Sequence, residues 1–211
     1  MKQLLGIFLA ITCLNLFAQK DEKATILLEE VSNKTKTYSS IKADFTYTMD
    51  NKAARIHETK IGTLLVTGDK YKINVAGQEV FCNGEKVWNY IGESNEVQIN
   101  EMDKRKEAIT PANILTSYNT NYKSRLIQDK DAADANVEAV ELIPLVQGSY
   151  EKVIVIIDKN LKQIKLFKIF DQNGNIFTYK VTQFLTNVPV KSGDFEFNPD
   201  DYDDVEVIDM R

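Results

Sequence analysis

The sequence predicts a mainly β, α+β protein: one large curved sheet or barrel of about eleven short antiparallel strands, interrupted twice by helix. Three observations carry that expectation. From Ile41 onward apolar residues recur with period two over most of the chain. The gaps between these runs are filled by turn-forming residues. Only two segments switch to helical spacing, and no linker, low-complexity tract or repeat divides the whole.

The first 19 residues read as a cleavable signal peptide. Lys2 supplies a positive start, and Leu4 to Phe17 is an apolar run broken only by Gly6, Thr12 and Asn15. Ala18 and Gln19 then precede the charged stretch Lys20-Asp21-Glu22-Lys23, where the mature chain is expected to begin. The run is short for a membrane span. Cys13 lies inside it after Ile11-Thr12, without the small residue that lipid attachment needs, so it is read as an ordinary apolar position that is discarded. Residues 20–211 are then expected to form a single domain in an exported, periplasmic protein.

Residues 24–37 place Ile26, Leu27 and Val31 at helical spacing, and Tyr38-Ser39-Ser40 ends that helix. Ile41, Ala43, Phe45, Tyr47 and Met49 then alternate with polar residues as a first strand. Further strands are expected at Ile56–Val66, Tyr71–Val75, Glu79–Cys82, Lys86–Ile91 and Glu96–Ile99. Asn83-Gly84 between two apolar runs is the strongest hairpin signal. Glu101 to Glu107 is a run of mixed charge that reads as a solvated loop. Thr110 and Pro111 open a short second helix reaching Tyr118. Strands resume at Tyr122–Ile127, Val137–Ile143, Tyr150–Ile157, Gln163–Phe170 and Ile176–Leu185, and a last apolar piece covers Val205–Ile208.

Composition excludes more chemistry than it suggests. The net charge of −5 becomes −6 without Lys2, which argues against a nucleic-acid or anionic-lipid footprint. The mature chain keeps one cysteine, Cys82, and so has no internal disulfide. Cys82 sits in an apolar strand without a basic neighbour, which suits a packed thiol. The single histidine, His57, has no serine or cysteine nucleophile in a recognisable elbow, and reads as an exposed strand residue. One histidine and one cysteine make no zinc spacing, and Asp200-Asp201-Tyr202-Asp203-Asp204 lacks the alternation and glycine of a calcium loop. No glycine-rich phosphate loop or dinucleotide fingerprint occurs. The expectation is therefore no enzyme, with no catalytic residue, metal or cofactor.

What remains is apolar surface. Leu64-Leu65-Val66, Val153 to Ile157, and Ile164/Leu166 against Phe167/Ile169 are apolar on both strand faces. Either one face packs on helices while the other forms a core, or one face lines an apolar cavity lidded by the helices.

The order of motifs resembles that of a known family. Tyr38-Ser39-Ser40-Ile41-Lys42-Ala43-Asp44-Phe45-Thr46 resembles the opening of the periplasmic lipoprotein carriers, LolA. Gly62-Thr63-Leu64 follows, then Phe81-Cys82-Asn83-Gly84-Glu85-Lys86-Val87-Trp88-Asn89-Tyr90, similar to the family's hairpin with its tryptophan and tyrosine. Thr110-Pro111-Ala112-Asn113-Ile114-Leu115 is similar to the mid-chain helix, Leu142-Ile143-Pro144 to a strand end, and Phe195-Glu196-Phe197-Asn198-Pro199 with Val205 to Asp209 to the close. The resemblance spans residues 24–211 in order.

It implies an unclosed antiparallel β-barrel covered by a helical lid, which shuttles lipid-modified proteins from the inner to the outer membrane and makes or breaks no bond. An inner-membrane lipoprotein-releasing transporter and an outer-membrane acceptor are implied as partners of a monomeric carrier. Alternation then offers a candidate lipid-binding set of Phe45, Tyr47, Met49, Leu64, Val66, Trp88 and Tyr90, with Ile114, Leu115 and Tyr118 as lid contacts. Which strand face points inward is open, since a slip of one residue exchanges the faces. Many members follow the Gly-x-Leu strand with an Arg-Pro pair whose arginine ties the lid shut. Here Val66-Thr67-Gly68-Asp69 stands in that place, and Lys70 lacks the fork geometry of arginine. A module binding another lipid or amphiphile on the same scaffold, or sensing a misfolded outer-membrane protein, is the alternative function.

Overall fold

A computed structural model of the chain describes residues 21–102, 121–146 and 148–211. The expected signal peptide, the helix opening at Thr110-Pro111, and with it Ile114, Leu115 and Tyr118, lie outside the described residues.

The helix α1 spans Glu22–Thr35, starting two residues earlier than its apolar spacing suggests. The reason is its N-cap. Asp21 accepts hydrogen bonds from the backbone of Lys23 and Ala24 through Oδ1, while its Oδ2 accepts from the Leu126 N–H at 3.0 Å. The backbone N–H of Asp21 in turn donates to the Ser124 carbonyl (3.1 Å). One residue thus starts the helix and occupies polar groups on the edge of the strand Tyr122–Ile127.

The first meander contains β1 (Ile41–Asn51), β2 (Ile56–Thr67), β3 (Lys70–Val75), β4 (Gln78–Cys82), β5 (Lys86–Ile91) and β6 (Glu96–Glu101). The second contains β7 (Tyr122–Ile127), β8 (Val137–Pro144), β9 (Tyr150–Asp158), β10 (Gln163–Asp171) and β11 (Ile176–Thr186). Pairing of β1 with β11 joins the two, so β1 lies at the centre of one continuous sheet. The sheet has twelve described strands rather than eleven, because Glu206–Asp209 forms β12, parallel to β6. Period-two patterning reports a strand's faces and not its partner, so this last, non-local pairing is invisible in sequence. The order runs from β12 at one edge to β7 at the other, and the sheet does not close.

Register defines an inner face, toward α1, and an outer face. Ala24, Leu27, Leu28 and Val31 of α1 pack on Val140, Leu142, Val153, Val155, Ile157 and Ile169. Behind them, Ala139, Ile154, Ile156 and Leu166 form an outer cluster beneath the 3-10 turn Lys130–Ala132. This explains why β9 is apolar on both faces: each has its own cover. In that outer layer Lys168 is buried, its Nζ 2.9 Å from Asp129 and 2.5 Å from Asp131. Burial opposes its charge, but the hydrogen bonds it donates to Asp131 and Asp129 prevail and hold its pKa above the ordinary lysine value.

Bulges in β10 and β11 break the alternation. Asp44 pairs with Gln183 while Phe45 pairs with Val181, leaving Thr182 extra on β11. Ile164 pairs with Ile157 while Leu166 pairs with Ile156, leaving Lys165 extra on β10. Ile164 therefore shares the inner face with Phe167 and Ile169, and Leu166 does not, which corrects the grouping expected from strict alternation. The same device brings Val181 and Phe184, three apart, to one side.

A candidate lipid-binding cavity between the helix and the sheet

The inner face is covered by α1 over β7 to β10 and opens toward β1 and β2. There the end of α1 and the sheet enclose a cavity of about 360 Å³. Its walls are Ile41 and Ala43 of β1, Leu64 and Val66 of β2, and the two bulge-placed pairs, Ile164 with Phe167 and Val181 with Phe184. Its rim is polar: Thr35 and Lys36 from the end of α1, Ser39, and Thr67, Gly68 and Asp69 from the β2–β3 turn.

Hydrogen bonds hold the rim in place. The Ser39 N–H donates to Asn187 Oδ1 (2.9 Å), and the Ser40 hydroxyl donates to the Val188 carbonyl (2.6 Å). The Thr67 hydroxyl donates to the Ser39 carbonyl (2.9 Å). The segment after α1 is thereby fastened to both β2 and the end of β11. On the helix itself Lys162, in the β9–β10 turn, pairs with Glu30.

Of the sequence-derived set, Leu64 and Val66 line this cavity. Phe45, Tyr47 and Met49 continue the same face along β1, where Phe45 lies against Tyr179 (5.7 Å between centroids) and Tyr47 stacks on Phe177 (6.4 Å). Phe167 and Tyr179 stack at 4.7 Å. Burial lifts the Tyr179 phenol to about 12, with Tyr47 and Tyr150 adding to it, so this aromatic floor carries no charge near neutral pH. Gly62 makes the floor possible. A Cβ there would stand 2.4 Å from the Phe45 ring.

Trp88 and Tyr90 are a correction. Tyr71 pairs with Cys82 and Cys82 with Val87, which puts Val87 and Asn89 on the inner face and Trp88 and Tyr90 on the outer one. There they pack with Phe81, Val97, Phe197, Tyr202 and Val205 beneath the C-terminal segment. Tyr90 and Tyr202 are 4.4 Å apart, as are Phe197 and Tyr202. Alternation grouped them as a possible binding wall, but register decides faces and gives them a core beneath the chain end.

Tyr38, Ile41, Ala43, Ile164, Phe167, Val181 and Phe184 also border the cavity, outside the sequence-derived set. Tyr38, Ile41 and Ala43 stand in the motif that opens β1 and its alternation; the other four depend on bulges. Gly68 is at the rim with φ +54 and open space around it. Lys70 pairs with Thr67 on the outer side and lines, with Lys191 and Phe195, a neighbouring cleft that shares Thr67, Gly68 and Asp69 with the rim. His57 is exposed at 71% and sits 2.6 Å from Asp50. Cys82 is buried, and burial raises its thiol pKa.

Solved structures with the same general architecture include an uncharacterized conserved protein from Thermus thermophilus, at 15% identity over 89% of this chain and 99% of that one, with a TM-score of 0.53. A LolA superfamily protein from Nitrosomonas europaea is similar at 10% identity over 82% of this chain and 97% of that one (TM-score 0.46). Lipoprotein LppX from Mycobacterium tuberculosis is similar at 10% identity over 80% and 98% (TM-score 0.44). No curated protein matches the sequence. Residues 36–198, from the rim of the cavity to the outer aromatic cluster, match the sequence model of the outer membrane lipoprotein carrier protein LolA, and the chain belongs to that family.

Proposed function

We propose that this protein is a periplasmic carrier that shelters the acyl chains of lipoproteins and moves them from the inner to the outer membrane. The observation that carries this reading is the apolar cavity of about 360 Å³ with a polar rim. Leu64, Val66, Phe167, Val181 and Phe184 contact the chain, with Phe45, Tyr47 and Met49 as the floor beyond, while the polar head stays at Thr35, Ser39 and Thr67. If a methylene fills about the 30 Å³ that a water molecule holds in the liquid, the cavity takes about a dozen. At about 0.8 kcal/mol each that is roughly 10 kcal/mol of gross burial, enough to retain one acyl chain and small enough to release it.

A lipoprotein carries two or three chains. Further chains enter by displacing α1 from the face it covers, which exchanges one set of apolar contacts for another at small net cost. Delivery to an outer-membrane acceptor reverses the exchange, and the inner-membrane transporter supplies the cargo. The experiment is release of a triacylated lipoprotein from membranes into solution by the purified mature chain. Release above a buffer control is expected, and its absence refutes the reading.

One observation favours a second reading, a binding or sensing module for another amphiphile. The rim has Gly68 where many members have the lid-fastening arginine, and Lys70 nearby lacks the fork geometry of that arginine. A single-chain lipid found bound by native mass spectrometry, without lipoprotein release, supports this alternative.

A further inference from the structure

The hairpin joining β8 to β9 is unusual in what it exposes. Turns are ordinarily built from Gly, Asn, Asp, Ser and Pro. Here Ile143-Pro144-Leu145-Val146 runs into the turn with side chains left in solvent: Ile143 is 38% exposed, Leu145 53% and Val146 75%. Isolated exposed aliphatics are common, but three within four residues form a patch that marks a contact.

The backbone on either side of the turn is held. The Leu145 N–H donates to the Asn121 carbonyl (2.8 Å), extending the β7–β8 ladder beyond its last pair, Tyr122 with Pro144. On the other leg, the Gln172 backbone N–H donates to the Ser149 carbonyl (3.3 Å) and its side-chain amide donates to the Gly148 carbonyl (2.6 Å). The apolar side chains are therefore presented by a fixed support.

We propose that this tip enters the interfacial layer of a lipid bilayer. Two features select a bilayer over a protein. A stable protein interface covers about 800 Å² on each partner, and three side chains at the end of a hairpin cannot supply that area. Shallow insertion of a few aliphatic groups needs no matching surface. The base of the tip also has the residues that sit at headgroup level: Tyr122 and Tyr150 toward the inner face, and Lys123, paired with Ile143, toward the outer. Charges there are mixed, Lys123 with Glu151, so insertion is driven by apolar burial.

Register locates the tip relative to the cavity. Tyr150 pairs with Asp171, at the end of β10 remote from Ile164, and the cavity rim lies at the Ile164 end. A bilayer engaged by the tip leaves the rim in water. Membrane contact and cavity occupancy are thus separable, and the proposal does not rest on the carrier reading.

The test is partition of the full mature chain onto phosphatidylethanolamine–phosphatidylglycerol vesicles by flotation, which needs no lipoprotein. Wild type is expected to float with the vesicles, with little change from low to high salt. Leu145→Asp with Val146→Asp is expected to lower partition at least tenfold while leaving the melting temperature near wild type, since both positions are exposed. Val146→Trp is expected to partition more strongly and to add a blue-shifted emission on vesicle addition that wild type lacks. Wild type that stays unbound, or a double variant that floats equally well, overturns the proposal. So does binding abolished by salt, which would point to a charged patch, and so does a wild-type dimer that the double substitution dissociates, which would make the occupant a second copy.

Discussion

Replacing Gly62 by alanine tests the packing on which the aromatic floor depends. Gly62 has no positive φ, so the backbone accepts any residue, and loss of a strand glycine would by itself stabilise by about 0.4–1 kcal/mol through the unfolded chain. The space is the obstacle. An added Cβ would meet Phe45 Cζ at 2.4 Å, Phe45 Cε2 at 2.5 Å and the Asn74 carbonyl oxygen at 2.9 Å. The first two contacts belong to a buried ring held against Tyr179, and the third is backbone of the neighbouring strand. Overpacking of this kind costs about 1–3 kcal/mol. The net expectation is a loss of about 1–2 kcal/mol, or roughly 2–8 °C in melting temperature for a domain of this size. Urea unfolding followed by circular dichroism measures it, with an unchanged slope. Phe45→Leu removes the ring, so in that background Gly62→Ala should cost less than in wild type, leaving a coupling of at least about 0.5 kcal/mol. If Gly62→Ala is as stable as wild type, or its cost is the same with and without the Phe45 ring, the packing argument fails.

Three further outcomes follow from other parts of the molecule. Lys168→Ala should destabilise by about 1–3 kcal/mol, because it leaves the half-buried Asp129 without its cation while the exposed Asp131 keeps its water, and adding Asp129→Asn should recover much of the loss in denaturant titrations. Asp21→Ala should cost about 1 kcal/mol near neutral pH. The Leu126 N–H above all, with those of Ala24 and Lys23, holds the Asp21 carboxyl below its ordinary value although burial opposes it. That stabilisation is complete above the unfolded value, near 4, and is lost as pH falls through the lower folded value, so the gap between wild type and variant should close in acid. Finally, a brominated acyl chain should leave Trp88, the only tryptophan, unquenched, since it lies on the outer face of β5 three strand spacings, or about 14 Å, from β2. Phe184→Trp combined with Trp88→Phe moves the fluorophore to the cavity, where quenching is expected.

The strands of both meanders were legible because each carries its own signal. Alternation in β1 and the Asn83-Gly84 turn between β4 and β5 are local, and local chemistry is what a sequence displays. Of the three residues whose spacing marks α1, Leu27 and Val31 are buried but Ile26 is exposed, and the start of the helix was not legible either. Asp21 caps the helix while accepting from Leu126, a partner 105 positions away. The parallel pairing of β12 with β6 was hidden for the same reason, since Glu206 and Glu96 share no local pattern.

The cavity was half legible, and the division has a physical cause. Leu64 and Val66 share a face because β2 is regular through the cavity, so period two groups them correctly. Trp88 and Tyr90 were misplaced although β5 is regular too, because alternation groups residues within a strand without relating one strand's face to the next. That relation comes from pairings such as Phe81 with Trp88, which exist only in the folded sheet. The missing walls, Ile164 with Phe167 and Val181 with Phe184, fail for a third reason. Each pair is three residues apart, a spacing that alternation assigns to opposite faces and that only the extra Lys165 and Thr182 bring together. Strict alternation would have turned one member of each pair outward and left β10 and β11 fewer apolar groups toward α1. The hollow beside the end of α1 owes its apolar lining to these two insertions, which a hydrophobicity pattern registers only as irregularity.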